Sequence, residues 1–192
     1  MRKTFYKYRD LKNFSHFEKI LLENKLHAGI YSDFNDENEG QYTYYEDTRS
    51  QYIIDKIKSE KNKLRICSLS RKRDDILLWG YYANGSRGVN LVLEIVDKEI
   101  IEITDIKYQG LYDHQSIAHD EEIISLTKKI LSRKLPNWKH ESETRVFTRK
   151  EHVDVKIKEI ILGSRISENN ENNIRELVKN RNPKIKITKG SL

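Results

Sequence analysis

The sequence has one cysteine, two prolines and eight glycines in 192 residues. No apolar run approaches the roughly 20 residues that cross a bilayer. A single cysteine excludes an internal disulfide, as suits a reducing compartment. Cys67 lies inside LRICSL, where apolar surroundings raise a thiol's pKa, so it reads as a buried structural group and not a nucleophile. Six scattered histidines with one cysteine offer no zinc spacing. No signal peptide is legible, and there are no repeats, long linkers or Pro-rich segments. These absences predict a cytoplasmic protein with a single domain over residues 1–192, long enough to bury a core without staples.

What is present is charge. There are 36 lysines and arginines against 30 aspartates and glutamates, a net charge of +6, and a mean hydropathy of −0.80. Ile, Leu, Val and aromatic residues nevertheless recur throughout, which argues for a globular chain with a charged surface over a disordered one. From Asp33 to Asp47 the chain is acidic, whereas KIKSEKNKLR and VKNRNPKIKITKG are basic. A moderate positive charge permits attraction to a polyanion, but the plain reading of either basic run alone is solvated surface.

The periodicities predict an α+β domain. TFYKYR reads as a first strand. A helix follows with Leu11, Phe14, Phe17, Leu21 and Leu22 on helical spacing, closed by Gly29 in the left-handed region. YSDFNDENEG is a turn-rich loop. A second helix holds Tyr52, Ile53, Ile54 and Ile57. LRICSLS is a strand, and Asp74 or Asp75 caps a helix through ILLWGYY, with Trp79 in the core. NGSRG is a tight turn before VNLVLEI, a strand buried on both faces. KEIIEITDIKYQG supplies another strand or hairpin partner. A helix from Asp120 carries Ile123, Thr127, Ile130 and Leu131 and stops before Pro136. NWKHESETRVF and VDVKIKEIILG read as strands, Ser167 caps a further helix, and PKIKIT is an edge strand.

Three constellations carry chemistry. Arg9 closes the first strand, where a guanidinium fork suits phosphate. Ser68 and Ser70 are two apart on one strand, so two hydroxyls share a face. Glu141 and Glu143, also two apart, aim two like charges at one spot if NWKHESETRVF is extended, with Arg145 on the same face neutralising part of that charge.

In this order, Arg9, Ser68-Leu69-Ser70 and Glu141-Ser142-Glu143 resemble the ADP-ribosyltransferase fold in its arginine–serine–glutamate class, although Leu69 stands where those transferases usually carry threonine. YKYRD, DFNDENEG, LLWGYYANGSRGVNLVLE and WKHESETRVF also look like the motifs of a widespread family of small bacterial and phage proteins catalogued as a domain of unknown function. That likeness covers most of the chain and brings no activity with it. The transferase resemblance implies a split mixed sheet with flanking helices, NAD as substrate, and cleavage of its nicotinamide–ribose bond through an oxocarbenium-like state. Glu143 would bond the ribose 2′-hydroxyl as positive charge grows on the sugar. Glu141 would orient or deprotonate the acceptor. Arg9 would hold a phosphate, Ser68 and Ser70 would support the ribose or Glu143, and Tyr81 or Tyr82 would stack on nicotinamide. The acceptor implied is a protein arginine first and nucleic acid second. A composition rich in Asn, Lys and Ile points to an AT-rich bacterial or viral genome, which leaves toxin, phage-defence and counter-defence roles open.

Two other readings compete. A non-catalytic module on the same fold would bind a protein or nucleic acid through its basic surface and exposed tyrosines. A metal-dependent nuclease would place Mg²⁺ on Asp33, Asp36, Glu37 and Glu39, but their spacing is not that of an EF-hand loop.

Overall fold

The structure is a computed structural model that describes residues 3–34, 36, 38–43, 48–113 and 122–191. In chain order its elements begin β1 (Phe5–Arg9), α1 (Phe14–Glu23), β2 (Lys25–His27), β3 (Tyr42–Thr43), α2 (Thr48–Lys63), β4 (Arg65–Ser70) and α3 (Ile76–Tyr82). They continue with β5 (Val89–Ile95), β6 (Glu102–Asp105), β7 (Tyr112–Asp113), α4 (Ile123–Ile130), β8 (Glu143–Thr148), β9 (His152–Leu162), α5 (Glu168–Arg181) and β10 (Lys186–Lys189). The class is mixed α and β with largely antiparallel strands, and none of the described helices is long and apolar enough to cross a membrane.

Two compact units emerge. The first comprises Met1–Leu26, Leu69–Lys98 and His152–Leu192, and the second His27–Ser68 and Glu99–Glu151.

In the first unit the strand order is β10-β9-β5-β1, with β10 parallel to β9 and the other pairs antiparallel. The registers Tyr6↔Val92, Val92↔Glu159 and Glu159↔Lys186 place these four residues in one row across the sheet. A core cluster of Tyr8, Leu78, Trp79, Ala83, Val92 and Ile161 joins α3 to the strands. Trp79 donates its indole N–H to Asp74 at 2.6 Å and meets Tyr8 edge-on at 5.1 Å. Asp75 caps α3 as expected, accepting from the backbone N–H groups of Leu77 and Leu78. After α3, Asn84, Gly85 and Ser86 all take positive φ, the reversal expected of NGSRG. At Gly88 the backbones crowd so closely that a Cβ would lie 2.1 Å from the Arg9 carbonyl oxygen. β5 is buried on both faces at its start, Ser167 caps α5, and β10 ends the strand order as an edge strand.

One helix end differs from expectation. Asn24, at φ 53 and ψ 43, closes α1, and the chain runs straight into β2. Asn tolerates the left-handed region through its short polar side chain. Gly29 instead bridges to Ile66 in extended backbone.

In the second unit the order is β4-β8-β6, and β3 pairs in parallel with β7 through Tyr42↔Tyr112. β6 pairs antiparallel with β8, for example Ile103↔Val146, so its partner is not the preceding strand β5. Ile57, Tyr112, Leu126 and Ile130 form one core cluster, and Leu64, Ile66, Leu131 and Phe147 another. Cys67 is buried. α4 is observed from Ile123, while Asp120 lies outside the described residues.

The largest correction falls on NWKHESETRVF. Pro136–Glu141 is a 3₁₀ helix with the proline in its first turn, Ser142 turns the chain at φ 43, and only then does β8 begin at Glu143. Proline's fixed φ and missing N–H suit a first helical turn and not a strand interior. Glu141 and Glu143 are therefore not alternate residues of one strand.

Candidate functional site: a buried ion cluster

The two glutamates meet all the same, through a lysine. The Lys134 ammonium lies 2.6 Å from Glu141, 3.0 Å from Glu143 and 2.9 Å from Glu39. Arg145 completes the cluster from β8. Its Nε donates to Glu143 at 2.8 Å, one terminal nitrogen reaches Glu39, and the other donates to the Leu131 carbonyl. All five charged residues are buried, Arg145 at 0% exposure. Burial of charge on this scale is tolerated only when hydrogen bonds satisfy the groups left over, and they do so here. Ser68 bonds the Glu143 carboxylate, and the Glu143 backbone N–H donates to the Tyr108 hydroxyl at 2.7 Å. Aromatic rings cover the cations, with Trp138 5.2 Å from the Lys134 ammonium and Phe34 5.0 Å from the Arg145 guanidinium.

Three carboxylates against two cations leave one net negative charge when all are ionised, and Glu143 and Glu39 respond to it differently. Burial pushes Glu143 upward, but Arg145, Lys134 and the Ser68 hydroxyl outweigh it and hold the carboxyl at about 2. Burial also pushes Glu39 upward, and there Arg145 and Lys134 do not overcome it, so Glu39 stays above its ordinary value. The difference follows from the contacts: Glu143 takes the Arg145 Nε fork and a hydroxyl in addition. Burial alone would lower Lys134 and Arg145, yet the surrounding carboxylates raise both above their ordinary values. Burial raises the Tyr108 phenol to about 12. Glu143 is thus an anion at neutral pH, suited to stabilising positive charge and a poor base. Glu39 holds a proton more readily than Glu143.

The residues singled out in the sequence divide between the units. Ser68, Glu141 and Glu143 belong to this cluster. Ser70 lies in the first unit, opposite Tyr6, where its hydroxyl accepts the Lys72 backbone N–H at 3.0 Å. Arg9 is half-buried at the end of β1, paired with Val89. On α3, Tyr81 is exposed and Tyr82 packs partly buried against the Trp79 core. Among the described residues, the loop acids Asp33, Asp36 and Glu39 do not converge as a magnesium site would require. Asp33 is exposed, Asp36 accepts from the Asn38 backbone and side chain, Glu39 turns inward, and Glu37 lies outside the described residues. Among the described residues, no group of three or more His, Cys, Asp or Glu side chains is arranged to hold a metal ion.

Sequence reasoning missed Lys134 and Glu39 as parts of the site. Glu39 is 106 positions from Arg145, and Lys134 sits in an ordinary-looking helix exit. The available signal was the motif pattern. Phe34 and Glu39 come from DFNDENEG, and Trp138, Glu141, Glu143 and Arg145 from WKHESETRVF, so two separated motifs meet in one cluster. No family model matches the chain, and neither a curated protein nor a solved structure matches it.

Proposed function

We propose that the chain is an ADP-ribosyltransferase-like protein that takes NAD as substrate and uses Glu143 as the carboxylate facing the ribose. One observation supports this above the others: the Ser68 hydroxyl bonds the Glu143 carboxylate, the relation between serine strand and glutamate that the resemblance implies. A carboxylate held at about 2 is ionised throughout the physiological range, as stabilising an oxocarbenium-like state demands. Glu141 shares Lys134 with Glu143 and is the candidate for orienting the acceptor, a protein arginine or a nucleic acid. The roles of Arg9, Ser70, Tyr81 and Tyr82 rest on the resemblance alone. Lys134, Arg145 and Ser68 already take about three of the four acceptor sites of the Glu143 carboxylate, and the residue is buried, so a ribose hydroxyl reaches it only if the cluster opens.

That occupancy favours a second reading, a non-catalytic binding module whose ion cluster serves the fold. Incubation with NAD labelled in the adenylate, together with host lysate, separates the two. Label on protein or nucleic acid, lost by roughly 10²-fold or more in Glu143→Gln, supports transfer. Nicotinamide release at the same rate by a folded Glu143→Gln variant refutes the assignment, and no turnover by the wild type favours the module.

A further inference from the structure

Charge is distributed unevenly between the two units. The first carries 21 lysines and arginines against 12 aspartates and glutamates, and the second 15 against 18. The net +6 of the chain is therefore +9 on one unit and −3 on the other. Within the first unit, several acids are already engaged. Glu159 accepts the Arg73 fork at 2.7 and 3.0 Å and the Thr188 hydroxyl at 2.6 Å. Glu171 holds Arg175 at 2.8 Å and Lys189 at 3.1 Å, and Glu94 holds Lys158 at 3.3 Å.

The surplus collects near the end of the chain. Lys179 and Arg181 lie in the last turn of α5, Lys184 in the turn that follows, and Lys186 opens the edge strand β10. All four are exposed. Lys186 stands in register with Glu159, whose carboxylate Arg73 and Thr188 already occupy. The apolar residues of this segment turn inward, with Val178 and Ile185 buried. A helix that docks on a bilayer needs the opposite, an exposed apolar face. Lysines on an edge strand discourage strand pairing, but that does not account for Lys179 and Arg181 on the helix.

We propose that this surface of the first unit binds the phosphodiester backbone of nucleic acid. Four exposed cations fall within eight consecutive residues, Lys179 to Lys186, with no acid among them, and a phosphodiester backbone can be held by such a cluster without a pocket. The binding is sequence-independent, and it does not depend on the NAD reading because no nucleotide chemistry is involved.

The test is polarisation anisotropy of a labelled oligonucleotide of about 30 nucleotides, single-stranded and duplex, across a salt series. The full chain should bind more tightly as salt falls. The combined variant Lys179→Ser, Arg181→Ser, Lys184→Ser and Lys186→Ser should weaken binding at least about 10-fold at low salt and flatten the log–log salt slope by about 3. A control with Lys56→Ser, Lys58→Ser and Lys63→Ser in the second unit should stay within about twofold of wild type. Circular dichroism and a thermal melt establish that both variants are folded. The proposal is overturned by absence of salt-dependent binding in the wild type, by equal effects of the two variant sets, or by anionic vesicles competing as well as nucleic acid.

Discussion

Lys134→Met is the sharpest test of the buried cluster. Methionine keeps a long unbranched stem and removes the ammonium, and with it the contact between that cation and the Trp138 ring. Three carboxylates at 2.6, 2.9 and 3.0 Å lose their shared cation at once. Removing one partner of a single buried ion pair costs about 3–5 kcal/mol. Here Glu39 and Glu143 retain Arg145, which moderates the loss, while the like charges of the acids add to it. Relief comes from protonation, and burial already holds the Glu39 carboxyl above its ordinary value. Urea unfolding followed by circular dichroism should therefore show a loss of about 3–5 kcal/mol near pH 7.5 that shrinks by more than about 1 kcal/mol near pH 5. Adding Glu39→Gln to Lys134→Met should restore part of the stability at the higher pH. If Lys134→Met lies within about 1 kcal/mol of wild type at both pH values, the ammonium is not neutralising those acids and the account of the cluster fails.

The other predictions use separate features. Glu143 has a depressed carboxyl, so its contribution is present above the ordinary value of 4.5 and is lost as pH falls toward about 2. The destabilisation caused by Glu143→Gln should accordingly be largest above that range and narrow as acid is added. Glu39 has the opposite sign: its raised carboxyl contributes below 4.5 and loses that contribution as pH rises through its folded value. Glu39→Gln should gain on wild type as pH increases, and parallel unfolding curves would refute this. Asp75→Ala removes the cap of α3 and should cost about 1 kcal/mol by chemical denaturation. Gly88→Ala forces a Cβ to 2.1 Å from the Arg9 carbonyl oxygen. It should cost about 3 kcal/mol or prevent folding, and a melt unchanged from wild type would show that β1 and β5 are not so close there.

Much of the fold was legible because it is local. Near-continuous apolarity marked β5, alternation marked β10, and helical spacing marked α1, α2 and α4. The caps at Asp75 and Ser167 followed from residues whose side chains bond the first turn wherever they occur. The helix α1 misled at its end because Asn24 substitutes for a glycine in the left-handed region. NWKHESETRVF misled because β-favouring residues after Ser142 drew attention from Pro136, which commits the preceding turn to a 3₁₀ helix.

The candidate site was legible in part and for an incomplete reason. The sequence by itself placed Glu143 and Arg145 two apart on one strand, where they pair, and determined that the chain would carry a positive surplus. It also determined the exposed lysines of the terminal segment, because alternation with buried Ile185 leaves them no other side. Only the tertiary structure decided that Glu39 and Lys134 join the cluster, that its acids are buried, and that Ser68 meets Glu143. Those contacts depend on how distant segments pack, and no local periodicity encodes them. Protonation followed from packing as well: the same carboxyl group is held low at Glu143 and high at Glu39 by its neighbours alone.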